Sequence, residues 1–83
     1  MSRPTICVCI ATYNQRDFIE TCLCSVVEQR VEADLRMLVG DDASSDGTSE
    51  IVARMAAEYP CVTHVLRKPN IGPFENMRDL ITR

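Results

Sequence analysis

The sequence predicts an α/β fold with three layers, in which a parallel sheet lies between helices on its two faces. Three observations lead to this prediction. Strand-like and helix-like segments alternate three times along 83 residues, the connections between them are short, and the strand-like segments are apolar without alternation. A strand that is covered on both faces has that pattern. Alternating strands and helices pair their strands in parallel through right-handed crossovers.

The first strand is predicted at Thr5 to Ala11, where the sequence TICVCIA is β-branched and apolar. A polar break, TYNQR, separates it from a helix that continues to about Gln29. Asp17 stands three residues before Glu20, which is a capping-box pattern, so we expect Asp17 to be the N-cap. The apolar stripe of this helix consists of Ile19, Cys22, Leu23, Val26 and Val27.

The second strand is predicted at Leu35 to Val39 and is followed by a turn rich in aspartate. Thr48 or Ser49 can cap the next helix, and Pro60 stops it, because proline cannot donate the hydrogen bond that would extend a helix. The apolar stripe of the second helix consists of Ile51, Val52, Met55, Ala56 and Tyr59.

The third strand is predicted at Cys61 to Leu66, and Pro73 suits the first turn of a third helix. The sequence ends inside this helical pattern, where a further strand should follow. We therefore expect residues 1–83 to be a single domain, the first half of a larger Rossmann-like one, with strand order 3-2-1. The first two helices then share one face of the sheet, and the third covers the other. Its apolar face is predicted to be Phe74, Met77, Leu80 and Ile81.

Composition excludes several classes of protein. The net charge is −3 and the basic residues are dispersed, so no nucleic-acid partner is expected. No apolar run approaches the ~20 residues of a membrane span, and no secretory signal precedes the first strand. Five cysteines without a signal indicate reduced thiols and a cytoplasmic location. Their spacing favours small buried hydrophobes over metal ligands.

Two loops at the carboxyl ends of the strands carry unusual chemistry. Tyr13 follows the first strand, and the adjacent pair Asp41 and Asp42 follows the second. Ligands bind beyond the carboxyl ends of parallel strands, so these loops should share one crevice. There Tyr13 could stack on a nucleobase while Asp42 accepts its N–H. Asp41 would then steady the turn or contact the ribose of the ligand. The alternative for the pair is turn and helix-start chemistry alone.

The sequence lacks the residue patterns of a calcium loop, a dinucleotide-binding loop and a phosphate-binding loop. The stretch from Asp42 to Gly47 resembles half of a calcium loop, but Ala53 stands where the twelfth-position glutamate is needed. The loop after the first strand has no glycine fingerprint for a dinucleotide, and no Walker loop is present. His64 lies inside the third strand without an evident partner, so we expect a structural or surface role for it.

Three segments together resemble the start of a family 2 glycosyltransferase with the GT-A fold. The run ICVCIATYNQRDFIETCLCSVVEQ resembles the family's first strand, its "PTYN"-like turn and its first helix. MLVGDDASSDGTSEIV resembles its "VDDGSTDGT" signature, and VLRKPNIGPFENMRDLI resembles the segment leading into its third helix. The resemblance covers essentially the whole chain and implies a partial GT-A domain.

The resemblance implies a nucleotide-diphosphate sugar, most often a uridine diphosphate sugar, as donor. Carried over by position, the nucleotide-binding residues are Ala11, Thr12, Tyr13, Asp41 and Asp42. Relatives use Mg²⁺ or Mn²⁺ on a later D-x-D motif and a later general base. Neither motif is in these 83 residues, so we expect no catalytic or metal-binding residue and no activity or cofactor for this part alone. The intact enzyme could work at the cytoplasmic face of the membrane.

A non-catalytic role is the rival interpretation. An apolar first strand at the edge of a sheet recruits other chains. We therefore also consider a homodimer joined along Thr5 to Ala11, or by exchange of the third helix.

Overall fold

The computed structural model describes residues 5–28 and 34–83 and confirms the predicted alternation of strands and helices. The predictions made for Met1 to Pro4, for Gln29 and for the connection at 30–33 lie outside the described residues. In chain order the elements are β1 (Thr5–Thr12), α1 (Arg16–Val27), β2 (Asp34–Asp41), α2 (Thr48–Glu58), β3 (Val62–Leu66) and α3 (Pro73–Ile81).

The three strands form one parallel sheet in the order β1-β2-β3, which is the predicted 3-2-1 order. β1 and β2 pair along their whole length, from Thr5 opposite Asp34 to Thr12 opposite Asp41. β2 is therefore longer than the sequence indicated, and Asp41 is its last residue rather than part of a turn. The in-register ends of β1 and β2 bring the loops that follow them to the same edge of the sheet.

The main hydrophobic core lies on the face of the sheet that α1 and α2 cover. Successive side chains of a strand point to opposite faces, so Met37 and Val39 enter this core while Leu38 points the other way. Val8 and Ile10 of β1 pack against it from the edge of the sheet. The buried apolar residues of this core are Ile19, Leu23, Met37, Val39, Val52, Met55 and Val62.

The start of α1 differs from the prediction. Asp17 is not the N-cap, because the helix begins at Arg16 and no side chain near in sequence caps it. Side chains of the β2–α2 loop and of the first residue of α2 do so instead. The N–H of Gln15 donates to Thr48 Oγ1 at 3.0 Å, and that of Arg16 donates to Asp46 Oδ2 at 3.2 Å. The free N–H groups at the start of α1 are therefore bonded by side chains about thirty residues away, and not by the local capping-box pattern.

α3 covers the opposite face of the sheet, but of the four predicted side chains only Leu80 is fully buried. Leu80 and Asn76 are buried, whereas Phe74 is 76% exposed and Ile81 is 67% exposed. The polar anchor Asn76 sets the rotation of the helix, since its Nδ2 donates to the carbonyl of Gly40 at 2.7 Å. A stripe offset from the predicted one therefore faces the sheet.

The cysteines are free thiols, and two of them, Cys24 and Cys61, pack against the main core. Burial, with a further contribution from the neighbouring Cys7, raises the pKa of the Cys9 thiol. Among residues 5–28 and 34–83, no group of three or more His, Cys, Asp or Glu residues is arranged to hold a metal ion. Within the described part of the chain, no helix is both long and apolar enough to cross a bilayer.

Candidate functional site

A pocket of about 270 Å³ opens beyond the carboxyl ends of β1 and β2. We call it the strand-end pocket. It contains four of the five residues predicted from the sequence, and Asp41 is the exception. Its lining residues are Ala11, Thr12, Tyr13, Gln15, Asp42, Pro73 and Asn76.

Tyr13 and Asp42 lie on the walls of this one pocket, as the convergence of the two loops requires. The Tyr13 side chain is 50% exposed, so one part of its ring surface is open to a ligand. A ring in this position can stack on a flat heterocycle. The end of β1 is also joined directly to the start of the β2–α2 loop, since the N–H of Asp42 donates to the carbonyl of Thr12 at 2.9 Å.

Asp42 is only 1% exposed and holds the β3–α3 loop in place. Its Oδ1 accepts the N–H of Ile71 at 2.6 Å, and its Oδ2 accepts the N–H of Gly72 at 2.8 Å. Its backbone carbonyl accepts Asn70 Nδ2 at 2.8 Å. A carboxylate has about four acceptor positions, so two bonds leave it able to accept a further N–H. Sequence reasoning foresaw Asp42 at the pocket but not its bonds to the loop.

Asp41 is fully buried and does not line the pocket. Its Oδ1 accepts the N–H of Ser44 at 3.2 Å, while its Oδ2 accepts the Ser49 hydroxyl and lies 3.2 Å from His64 Nε2. Burial raises the pKa of the Asp41 carboxyl, but the hydrogen bonds from Ser49, Ser44 and His64 outweigh burial, so the pKa is lowered. Asp41 thus stabilises the β2–α2 loop, which is one of the two roles that the sequence left open.

His64 has a structural role, as expected, but with a partner that the sequence did not reveal. Its ring is mostly buried and pairs with Asp41, although 23 residues separate them. The parallel pairing of β2 with β3 places Asp41 opposite Leu66, two residues beyond His64. A partner on a neighbouring strand leaves no signal in the local sequence, which is why it was missed.

Thr12 lines the strand-end pocket, and its hydroxyl has no partner among the described residues. The residue is 4% exposed, and its Oγ1 is buried without a hydrogen-bond partner among the described residues. A buried hydroxyl without a partner costs about 1–3 kcal/mol. A polar group that bonded to it would recover that free energy.

Sequence reasoning missed the contribution of α3 to the pocket. Pro73 and Asn76 close one side of it, and Gln15 lies on another. Asn76 is fixed by Arg67, whose Nε donates to Asn76 Oδ1 at 3.1 Å. The available signal was an asparagine one helical turn before Leu80, a polar residue at an inward position of an otherwise apolar stripe.

Comparison with known proteins gives a consistent result. Residues 7–82 match the sequence pattern of a family described as Glycosyl transferase family 2. An uncharacterized protein of Mycobacterium tuberculosis is 36% identical over 72 residues, covering 86% of this chain and 21% of that protein. The dTDP-rhamnosyl transferase RfbG of Shigella flexneri is 34% identical over 65 residues, covering 78% of this chain and 22% of its own length.

A solved structure is also similar. The mannosyltransferase PcManGT from Pyrobaculum calidifontis, in complex with GDP-Man and Mn²⁺, matches 99% of this chain with a TM-score of 0.80 and 31% sequence identity. The match covers 25% of that protein. The chain thus spans about a fifth to a quarter of the length of the relatives it matches.

Proposed function

The chain belongs to glycosyl transferase family 2, and on that premise we propose that its strand-end pocket binds the nucleotide of a nucleotide-diphosphate sugar. The larger enzyme would transfer the sugar to a hydroxyl group, on the cytoplasmic side. We expect a uridine diphosphate sugar as donor. Support for the ligand class comes from the structurally similar mannosyltransferase, which was solved with GDP-Man.

In this proposal Tyr13 and Asp42 hold the base between them. The half-exposed ring of Tyr13 stacks on the base, and a free acceptor position of the Asp42 carboxylate takes an N–H from its edge. Ala11 contributes through its backbone at the end of β1. Asp41 acts from outside the pocket by holding the loop that carries Asp42.

The unpaired hydroxyl of Thr12 is the observation that carries the proposal. Backbone bonds and loop contacts explain the burial of Asp41 and Asp42 without any ligand. No donor or acceptor among the described residues pairs with the hydroxyl that is buried at the end of β1. A polar ligand in the strand-end pocket supplies the missing partner.

The metal of the intact enzyme, Mg²⁺ or Mn²⁺, does not fit the residues described. They contain no suitable cluster of His, Cys, Asp or Glu side chains, and the chain has no D-x-D motif. The relative solved with Mn²⁺ supports metal use by the complete enzyme. We propose that the 83 residues bind the nucleotide and do not transfer sugar by themselves.

Replacing Thr12 by valine tests the proposal, because valine keeps the shape of threonine and removes its hydroxyl. The free protein should be as stable as the wild type or more stable, since an unpaired buried group is lost. Calorimetric titration with UDP should show binding weaker by about 0.5–1.5 kcal/mol. Thr63→Val, at an exposed position of β3, is the matched control and should leave the affinity unchanged. Equal UDP affinities for wild type and Thr12→Val would contradict the proposal.

Self-association is a second candidate function, and the exposed apolar stripe of α3 favours it. Phe74, Met77 and Ile81 line a shallow apolar groove on the outer surface of that helix. β1 forms an edge of the described sheet, so its outer backbone groups are available to another strand. A homodimer would cover either surface.

A further inference from the structure

One residue, Asn14, joins the β1–α1 turn to the β2–α2 loop through two hydrogen bonds. Its backbone N–H donates to Ser44 Oγ at 3.0 Å, and its side-chain Oδ1 accepts the N–H of Ser45 at 2.8 Å. We call this pair of bonds the Asn14 clamp. Asn14 has a φ of 51°, in the left-handed region that asparagine tolerates better than most residues with side chains.

The clamp is anchored to a buried group. The N–H of Ser44 donates to Asp41 Oδ1 at 3.2 Å, and Asp41 is itself fully buried. The next residue of the turn is held as well, since Gln15 N–H donates to Thr48 Oγ1 at 3.0 Å. Linked bonds of this kind fix the backbone of the turn more firmly than either loop could alone.

Tyr13 directly precedes Asn14, and its ring depends on that backbone for its direction. The side chain is half exposed, and no hydrogen bond within the described residues holds its hydroxyl. Without the clamp, the turn could move and carry the ring away from the strand-end pocket. A stacking ring that is already ordered in the free protein increases affinity, because binding does not have to supply the free energy of ordering it.

We propose that Asn14 is a positioning residue, which holds the ring of Tyr13 in place for nucleotide binding through its clamp on Ser44 and Ser45. This inference rests on the proposed function, and it adds a residue that does not line the pocket. Asn14 acts only through Tyr13, so its contribution to affinity should vanish when the ring is absent.

A double-mutant cycle on the 83-residue chain, titrated calorimetrically with UDP and separately with GDP, tests this dependence. Tyr13→Ala removes the ring and should weaken binding about tenfold, within the range for stacking on one base. Asn14→Gly keeps a backbone suited to positive φ but removes Oδ1, and should weaken binding about three- to tenfold. The double variant should bind as weakly as Tyr13→Ala alone. Asn14→Asp retains the acceptor oxygen and should stay within about twofold of wild type.

The outcomes separate this inference from the proposed function. Equal weakening by Asn14→Gly with and without the Tyr13 ring would overturn it, because the residue would then act on general stability. Unchanged affinity of Asn14→Gly would overturn it too, while the Thr12→Val result would still decide the proposed function. Wild-type protein that binds neither UDP nor GDP would overturn both. If circular dichroism shows that Asn14→Gly does not fold, Ser44→Ala replaces it in the same cycle. Ser44→Ala removes the acceptor of the Asn14 N–H, and the same binding results are expected from it.

Discussion

Asn76 and Gly40 fit together so closely that no side chain can be added between them. The Nδ2 of Asn76 donates to the carbonyl of Gly40 at 2.7 Å. A β-carbon built on Gly40 would lie 2.2 Å from Asn76 Oδ1 and 2.9 Å from Leu80 Cδ1. The absence of a side chain in β2 therefore allows α3 to approach the sheet and to place Pro73 and Asn76 at the strand-end pocket.

Gly40→Ala should destabilise the protein by roughly 1–3 kcal/mol or more, because the added methyl group forces Asn76 and Leu80 outward. Urea unfolding followed by circular dichroism measures the loss. Thr63→Ala, at an exposed position of the same sheet, is the control and should change stability by no more than about 1 kcal/mol. Equal stabilities of Gly40→Ala and wild type would show that α3 is not docked as closely as described.

Asp42→Ala should weaken UDP binding by at least ~1.5 kcal/mol, which is the upper range for an ordinary hydrogen bond and typical of a charged one. It should also destabilise the fold, because the N–H groups of Ile71 and Gly72 lose their acceptors. Calorimetry measures the first effect and urea unfolding the second.

Asn70→Ala separates the two roles of Asp42. It removes the bond from Asn70 Nδ2 to the Asp42 carbonyl and the bond from the Gly72 N–H to Asn70 Oδ1, and so loosens the same loop while the carboxylate is retained. We expect its UDP affinity to fall much less than that of Asp42→Ala. Equal losses in the two variants would mean that Asp42 acts only through the loop, and unchanged affinity in Asp42→Ala would remove its role in recognition.

The Asp41 carboxyl should make the protein sensitive to acid. Hydrogen bonds lower its pKa in the folded state, so between the folded and unfolded values the unfolded chain binds the proton and the folded chain does not. Its stabilising contribution is therefore complete above the unfolded value of 3.8 and is lost as pH falls through the lower folded value.

Unfolding free energies measured from about pH 6 down to about pH 3 should fall more steeply for wild type than for Asp41→Asn, because asparagine does not titrate. The pKa values of Asp46 and Asp79 are also lowered, by hydrogen bonds from Thr48 and from Arg83 respectively. These two groups remain in both proteins, so the difference between the slopes isolates Asp41. Parallel slopes would contradict its part in the acid response.

If the apolar stripe of α3 mediates self-association, Phe74→Lys should shift the protein towards monomer in light scattering at high concentration. A charge at that position would be buried without a partner in the dimer. Phe18→Lys, which changes a similarly exposed phenylalanine of α1, is the control and should leave the distribution unchanged. A wild-type protein that is already a uniform monomer would exclude this interpretation.

The sequence was sufficient to predict the element order and the parallel pairing. Of the five site residues predicted from it, four line the strand-end pocket. Apolar strands and short connections restrict the topology to very few forms, and the ends of neighbouring parallel strands must lie together. Prediction was poorest where a polar contact spans distant residues. The cap of α1, the partner of His64 and the rotation of α3 all depend on such contacts.

By itself, then, the sequence determined which residues form strands and helices and that Tyr13 and Asp42 would share one edge of the sheet. Only the tertiary structure decided that Asp41 faces inward to Ser44, Ser49 and His64, and that the hydroxyl of Thr12 finds no partner among the described residues. Hydrophobic periodicity is a local property that can be observed directly in the sequence. The satisfaction of a buried polar group depends on which distant donor or acceptor the folded chain brings within about 3 Å of it.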